Sequence, residues 1–123
     1  MTFKTLLATV TFGLSLSFAA VPVLADGNGI TGFRAGQGHH AGLTLLDGQN
    51  TMTATQRGAH NRLAVAQFGF GNEATLAQDG VGNEADLTQD GIGNEATVTQ
   101  GGVGYAAGAY EGGNRGVAFV DRE

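Results

Sequence analysis

A pattern that returns every eleven residues limits this chain to few folds. Glutamine stands at Gln56, Gln67, Gln78, Gln89 and Gln100, and glycine at Gly58, Gly69, Gly80, Gly91 and Gly102. Asparagine keeps the same step at Asn50, Asn61, Asn72, Asn83 and Asn94. Carried toward the C-terminus, the register puts Glu111 in the glutamine slot, Gly113 in the glycine slot and Ala118 in the alanine slot. Carried the other way, it puts His39 and Asn28 in the asparagine slot. About nine units result, degenerate at both ends. Fixed self-similarity of this kind marks a repeat architecture.

Within a unit the period is two. Asn72, Ala74, Leu76 and Gln78 alternate with Glu73, Thr75 and Ala77. Successive side chains of a strand point to opposite faces, so the spacing predicts a seven-residue strand with one face turned inward. Asp79-Gly80-Val81-Gly82 then predicts a four-residue turn, because glycine accepts positive φ without steric cost. Eleven residues are close to three helical turns, but two glycines per unit and the alternation between them argue against a helix. The expected fold is therefore all-β: a β-solenoid of strand-turn-strand rungs, with a 22-residue period made of two 11-residue half-repeats. Its rungs rise by roughly 4.8 Å, an amyloid-like spacing.

Residues 22 apart then lie over one another. Amide side chains carry both donors and acceptors, so stacked columns of them are expected to bond along the pile. Gln56, Gln78 and Gln100 form one such column and Gln67 and Gln89 another, with the five asparagines as further ladder residues. Ala74, Ala85 and Ala96 let the two sheets approach, and Leu63, Val65, Leu76, Leu87 and Val98 are expected to fill the core. The five glycines of the register are assigned to turns. The first and last rungs leave open strand edges, which natural proteins often blunt with lysine or proline. Residues 26–123 contain neither.

The start of the chain reads differently. Lys4, the apolar run Leu6 to Ala20 and the small-residue signal Val23-Leu24-Ala25 predict a secretory signal peptide over residues 1–25. The run is short for a membrane span and no stop-transfer segment follows, so no membrane insertion is expected. The remainder divides into degenerate repeats over 26–55, well-formed repeats over 56–100, and degenerate repeats or a cap over 101–123. It has no cysteine, hence no disulfide framework. Its five arginines against eleven acids give a net charge of −6, which argues against nucleic acid as a partner.

The motif Asn-x5-Gln-x-Gly-x-Gly-Asn-x-Ala-x3-Gln, as in Asn72, Gln78, Gly80, Gly82, Asn83, Ala85 and Gln89, resembles the curlin repeat of curli fibre subunits. The resemblance spans Gln56 to Gln100 and fades on either side, where Arg34 and Leu45 replace glutamine and Tyr105 and Gly116 replace asparagine. It also departs from the family in using Asn61 or Asn83 where serine is frequent. The resemblance implies a structural subunit that leaves a Gram-negative cell through a dedicated outer-membrane export machinery. It implies polymerisation with copies of itself, aided by a nucleator subunit, into extracellular amyloid fibres for adhesion and biofilm matrix. The same resemblance admits a minor nucleator. It implies no enzyme activity and no cofactor.

Other signals carry less. His39, His40 and His60 lack the spacing of a metal site, and the acids Asp79, Glu84, Asp86, Asp90 and Glu95 lack that of a calcium repeat, so no metal is expected. Asp79 and Asp90 fit turn propensity, with slowing of premature aggregation as the functional alternative. A rival class rests on Thr31, Thr53, Thr75 and Thr97, which align on one outer face as ice-binding solenoids align threonines. The neighbouring column Gly29, Thr51, Glu73, Glu95 puts charge beside that array.

Overall fold

Alternation in steps of two, broken by glycine at fixed intervals, gives a chain of short strands. The computed structural model describes residues 7–11, 18–19, 23–24 and 27–123, and the remainder of the expected signal peptide lies outside them. Three short strands come first: β1 (Leu7–Thr11), β2 (Phe18–Ala19) and β3 (Val23–Leu24). Nine follow: β4 (Gly29–Gln37), β5 (His40–Leu46), β6 (Thr51–Ala59), β7 (Arg62–Phe70), β8 (Glu73–Val81), β9 (Glu84–Ile92), β10 (Glu95–Val103), β11 (Ala106–Asn114) and β12 (Val117–Arg122). Among the described residues there is no helix.

The strands form two parallel sheets, ordered β1-β4-β6-β8-β10-β12 and β11-β9-β7-β5-β2, with β3 also beside β5. Each rung takes one strand from each sheet, so the chain winds as a β-solenoid with a 22-residue step. Gln56 pairs in register with Gln78, Gln78 with Gln100, and Gln67 with Gln89.

The strands are longer than the alternation predicts. β8 runs Glu73–Val81, nine residues, instead of seven from Asn72, and the Asp-Gly pair lies inside it rather than in a free turn. The reason is that the arc is itself stacked. Asp79, Gly80 and Val81 pair with Gly101, Gly102 and Val103 above them. The bends bond likewise: Gly82 donates its N–H to the Ala59 carbonyl, and Gly104 to that of Val81, each at 2.9 Å. An arc has no inner face to bury, so hydrophobic alternation stops at Gln78 although the ladder continues.

The core lies between the sheets. It contains Met52, Leu63, Val65, Leu76, Leu87, Val98 and the alanines Ala74, Ala85 and Ala96, all buried. In β6 the large residue is Met52 and the small one Ala54; in β8 Ala74 and Leu76 reverse the order over them. Exchanging volume between two neighbouring columns keeps the filling constant, which close-packed interiors tolerate best.

Candidate functional site

The candidate site is built from the amide columns and the edges at which they end. The glutamine columns are directional. Gln56 donates Nε2 to Oε1 of Gln78, and Gln78 donates to Gln100, both at 2.9 Å. In the facing sheet Gln67 donates to Gln89 at 2.8 Å, and Gln89 to Oε2 of Glu111 at 2.9 Å. Every bond therefore points toward the C-terminal end. The second hydrogen on each Nε2 crosses to the opposite sheet, for instance from Gln78 to the Arg62 carbonyl at 2.8 Å and from Gln100 to that of Glu84 at 2.9 Å. These amides are 0–1 % exposed. The large majority of buried polar groups are bonded, and here each amide ties rung to rung and sheet to sheet at once.

The donor direction leaves acceptors at the other end. Among the described residues, the buried Oε1 of Gln67 has no partner. It stands in register with Leu45, which offers no hydrogen.

The asparagines stack by a different bond. Oδ1 of Asn50 accepts the backbone N–H of Asn72 at 3.0 Å, and Oδ1 of Asn61 accepts that of Asn83 at 2.9 Å. Asn72 and Asn83 do the same for Asn94 and Tyr105, both at 3.0 Å. Nδ2 returns to the carbonyl four residues back and reaches one on the next rung: for Asn72 these are Phe68 at 2.8 Å and Gly91 at 3.2 Å. The side chain thus closes the bend, where strand ladders leave backbone groups open. His39 occupies this slot and copies it: Nδ1 accepts the Asn61 N–H at 3.3 Å, so Nε2 carries the proton and donates to the Ala35 carbonyl at 3.1 Å. His39 is buried, whereas His40 and His60 are exposed. Among the described residues no three His, Cys, Asp or Glu stand close enough to share a metal ion.

The register glycines Gly58, Gly69, Gly80, Gly91 and Gly102 all have positive φ. A Cβ on Gly58 would overlap the carbonyl oxygen of Gly80, and one on Gly80 that of Gly102. Close approach of backbone to backbone, as well as φ, keeps this slot free of side chains.

The outer faces carry the remaining candidates. Thr31, Thr53, Thr75 and Thr97 form one column in register, ending at Phe119. Beside them Glu73 stacks on Glu95, and both are exposed. Asp79 lies between Arg57 and Gly101, and Asp90 between Phe68 and Gly112, so neither acid stacks on another. Arg62 and Glu84 make an exposed pair at 3.7 Å, of a kind that adds little stability.

The curlin associated repeat matches this chain twice, over residues 49–80 and 71–102. The two spans start 22 residues apart, one rung, and coincide with the most regular part of both amide columns. The chain is a curlin-repeat protein. No curated protein and no solved structure gives a significant match. The curlin repeat is a structural, non-enzymatic element of curli-type amyloid subunits. Within it, the amides of the motif bond to the neighbouring rung, the alanines are buried between the sheets, and register glycines such as Gly58 and Gly80 lie against the next rung's backbone. One feature of these curlin columns was not legible beforehand: the common direction of the glutamine bonds, which depends on rotamers. The burial of Glu111, 8 % exposed at the end of a column, follows from its place in the glutamine register.

Proposed function

We propose that this chain is the subunit of a curli-type fibre: exported after loss of residues 1–25, and polymerised outside a Gram-negative cell into amyloid that serves adhesion and biofilm matrix. The observation that carries the proposal is the pairing of identical buried amides, rung on rung, up to strand edges that lack a partner at the C-terminal end of the described stack. A stack whose every layer bonds to the next is completed only by another layer, and a second copy supplies one. Residues 26–123 contain no lysine or proline to blunt those edges. A nucleator subunit and an outer-membrane export machinery are the further partners this reading requires. The regularity of the columns from Gln56 to Gln100 favours the body of the fibre over the nucleator.

The test is incubation of purified residues 26–123 without denaturant, followed by thioflavin fluorescence and fibre diffraction. Growth with reflections near 4.7–4.8 Å and about 10 Å is the expected result. A chain that stays monomeric and lowers the freezing point of water would replace this reading with the ice-binding one.

A further inference from the structure

One glutamine column ends at the C-terminal edge in an acid, Glu111, while the other ends there in Arg122 and starts at the N-terminal edge with a second base. Glu111 ends one column at the C-terminal edge, buried and accepting from Gln89. Arg34 holds the glutamine register position at the N-terminal edge, one rung before Gln56. From β4 to β12 there are nine strands, an odd number. The stack therefore ends half a rung out of step with its start: β12 tops one sheet, and the next free place is over β11 in the other.

We propose that the next copy in the fibre docks on the C-terminal end after a half-turn about the stack axis, its β4 on β11 and its β5 on β12, so that its Arg34 takes the place next to Glu111. This rests on the fibre reading above. Nine strands of eleven residues set the offset at 99. Arg34 of the copy then falls 22 positions beyond Glu111, and its Gly36 beyond Gly113, which continues the glycine column. Docking without the half-turn changes the offset to 110, or ten half-repeats. Arg34 then lies on Arg122, and the edge of β11 faces no strand. A carboxylate buried at an interface demands a cation, and only the half-turn brings one. Before the leader is lost, β1 pairs with β4 along the edge this contact needs, from Gly29 to Phe33.

The chain has no cysteine, so cross-linking reads the register directly. Adjacent rungs put paired Cα atoms roughly 4.8 Å apart, inside the range of about 4.4–6.8 Å that a disulfide spans. Forms of residues 26–123 carrying Arg34→Cys and Glu111→Cys are mixed, grown into fibres, oxidised and dissolved. A covalent dimer is expected, and none from Arg34→Cys with Arg122→Cys. If removing these charges prevents assembly, Phe33→Cys with the exposed Tyr110→Cys tests the same docking against Phe33→Cys with Asp121→Cys. In parallel, Glu111→Arg slows elongation by about tenfold or more, as like charges facing each other do, and Arg34→Glu added to it restores growth. Fibres that cross-link through residue 122 or 121, or through neither pair, overturn the docking. Failure of the unsubstituted chain to form fibres overturns the fibre reading, and this inference with it.

Discussion

The carbonyl oxygen of Gly102 stands where a Cβ on Gly80 would be. Two glycines recur in most arcs, and the structure separates their reasons. Gly80, at φ 124°, is confined by its neighbour as well as by its backbone. Gly82, at φ 69°, has nothing within 4 Å of a Cβ, and the equivalent positions His60 and Arg115 keep positive φ with full side chains. Gly82→Ala is therefore expected to cost only about 1–2 kcal/mol, the penalty of a left-handed conformation. Gly80→Ala adds a clash worth about 1–3 kcal/mol more. Thioflavin growth curves of the two variants at equal concentration check this: near-normal elongation for Gly82→Ala, and strongly slowed or absent elongation for Gly80→Ala.

The glutamine columns give an ordering that hydrophobicity alone does not. Gln78→Leu removes one donor and one acceptor from the column, and the chain already tolerates Leu45 in that register. Its cost is about 1–3 kcal/mol, for buried groups left unpaired. Gln78→Glu still accepts from Gln56, but it turns acceptors toward Oε1 of Gln100 and the Arg62 carbonyl, both now supplied with a hydrogen by Gln78. A buried charge facing two acceptors is worse than an apolar side chain. The guanidinium concentration that dissolves half the fibre is expected to fall in the order unsubstituted, Gln78→Leu, Gln78→Glu.

Much of this arrangement was legible from spacing. The eleven-residue step gave the rung, and alternation gave the inward set Asn72, Ala74, Leu76 and Gln78, all of which are buried. Two things were not. Alternation ends at Gln78 while the ladder runs on to Val81, because an arc that buries neither face writes no hydrophobic pattern. The difference between the two amide columns was also hidden. Asn and Gln carry the same group, but Asn61 stands at the bend and reaches the N–H of Asn83, which lies outside the strand ladder, whereas Gln56 stands within a strand and reaches the side chain of Gln78.

That difference leads to a prediction for the bends. Asn83 accepts the Tyr105 N–H at 3.0 Å and donates to the carbonyls of Asp79 and Gly102, both at 3.2 Å. Asn83→Ala leaves these groups open. Asn83→Asp keeps the acceptor but sets a carboxylate against two carbonyls, so it does not rescue. Asn83→His is expected to be the mildest of the three, because His39 already meets two of these three demands, with Nδ1 as acceptor and Nε2 as donor to the carbonyl four residues back. Fibre yield after a fixed time, measured by sedimentation, is expected to rank His above Ala and Asp. Equal losses for all three would show that the side-chain bracket does not hold the bend.

The acids that restrain assembly can be chosen by what they stack on. Asp79 has Arg57 on one side and Gly101 on the other, and Asp90 has Phe68 and Gly112. Neutralising both removes no like-charge contact between rungs, so Asp79→Asn with Asp90→Asn is expected to leave the lag of fibre growth unchanged. Glu73 and Glu95 are different: they are consecutive in one exposed column. Like charges directly opposite destabilise a strand pair by about 0.2–1 kcal/mol, and that repulsion is met each time the two rungs close on each other. Glu73→Gln with Glu95→Gln is expected to shorten the lag and to reduce its dependence on salt, which screens the exposed pair in the unsubstituted chain. If instead the aspartate pair shortens the lag and the glutamate pair does not, the restraint acts through the arcs before the rungs form rather than through their stacking.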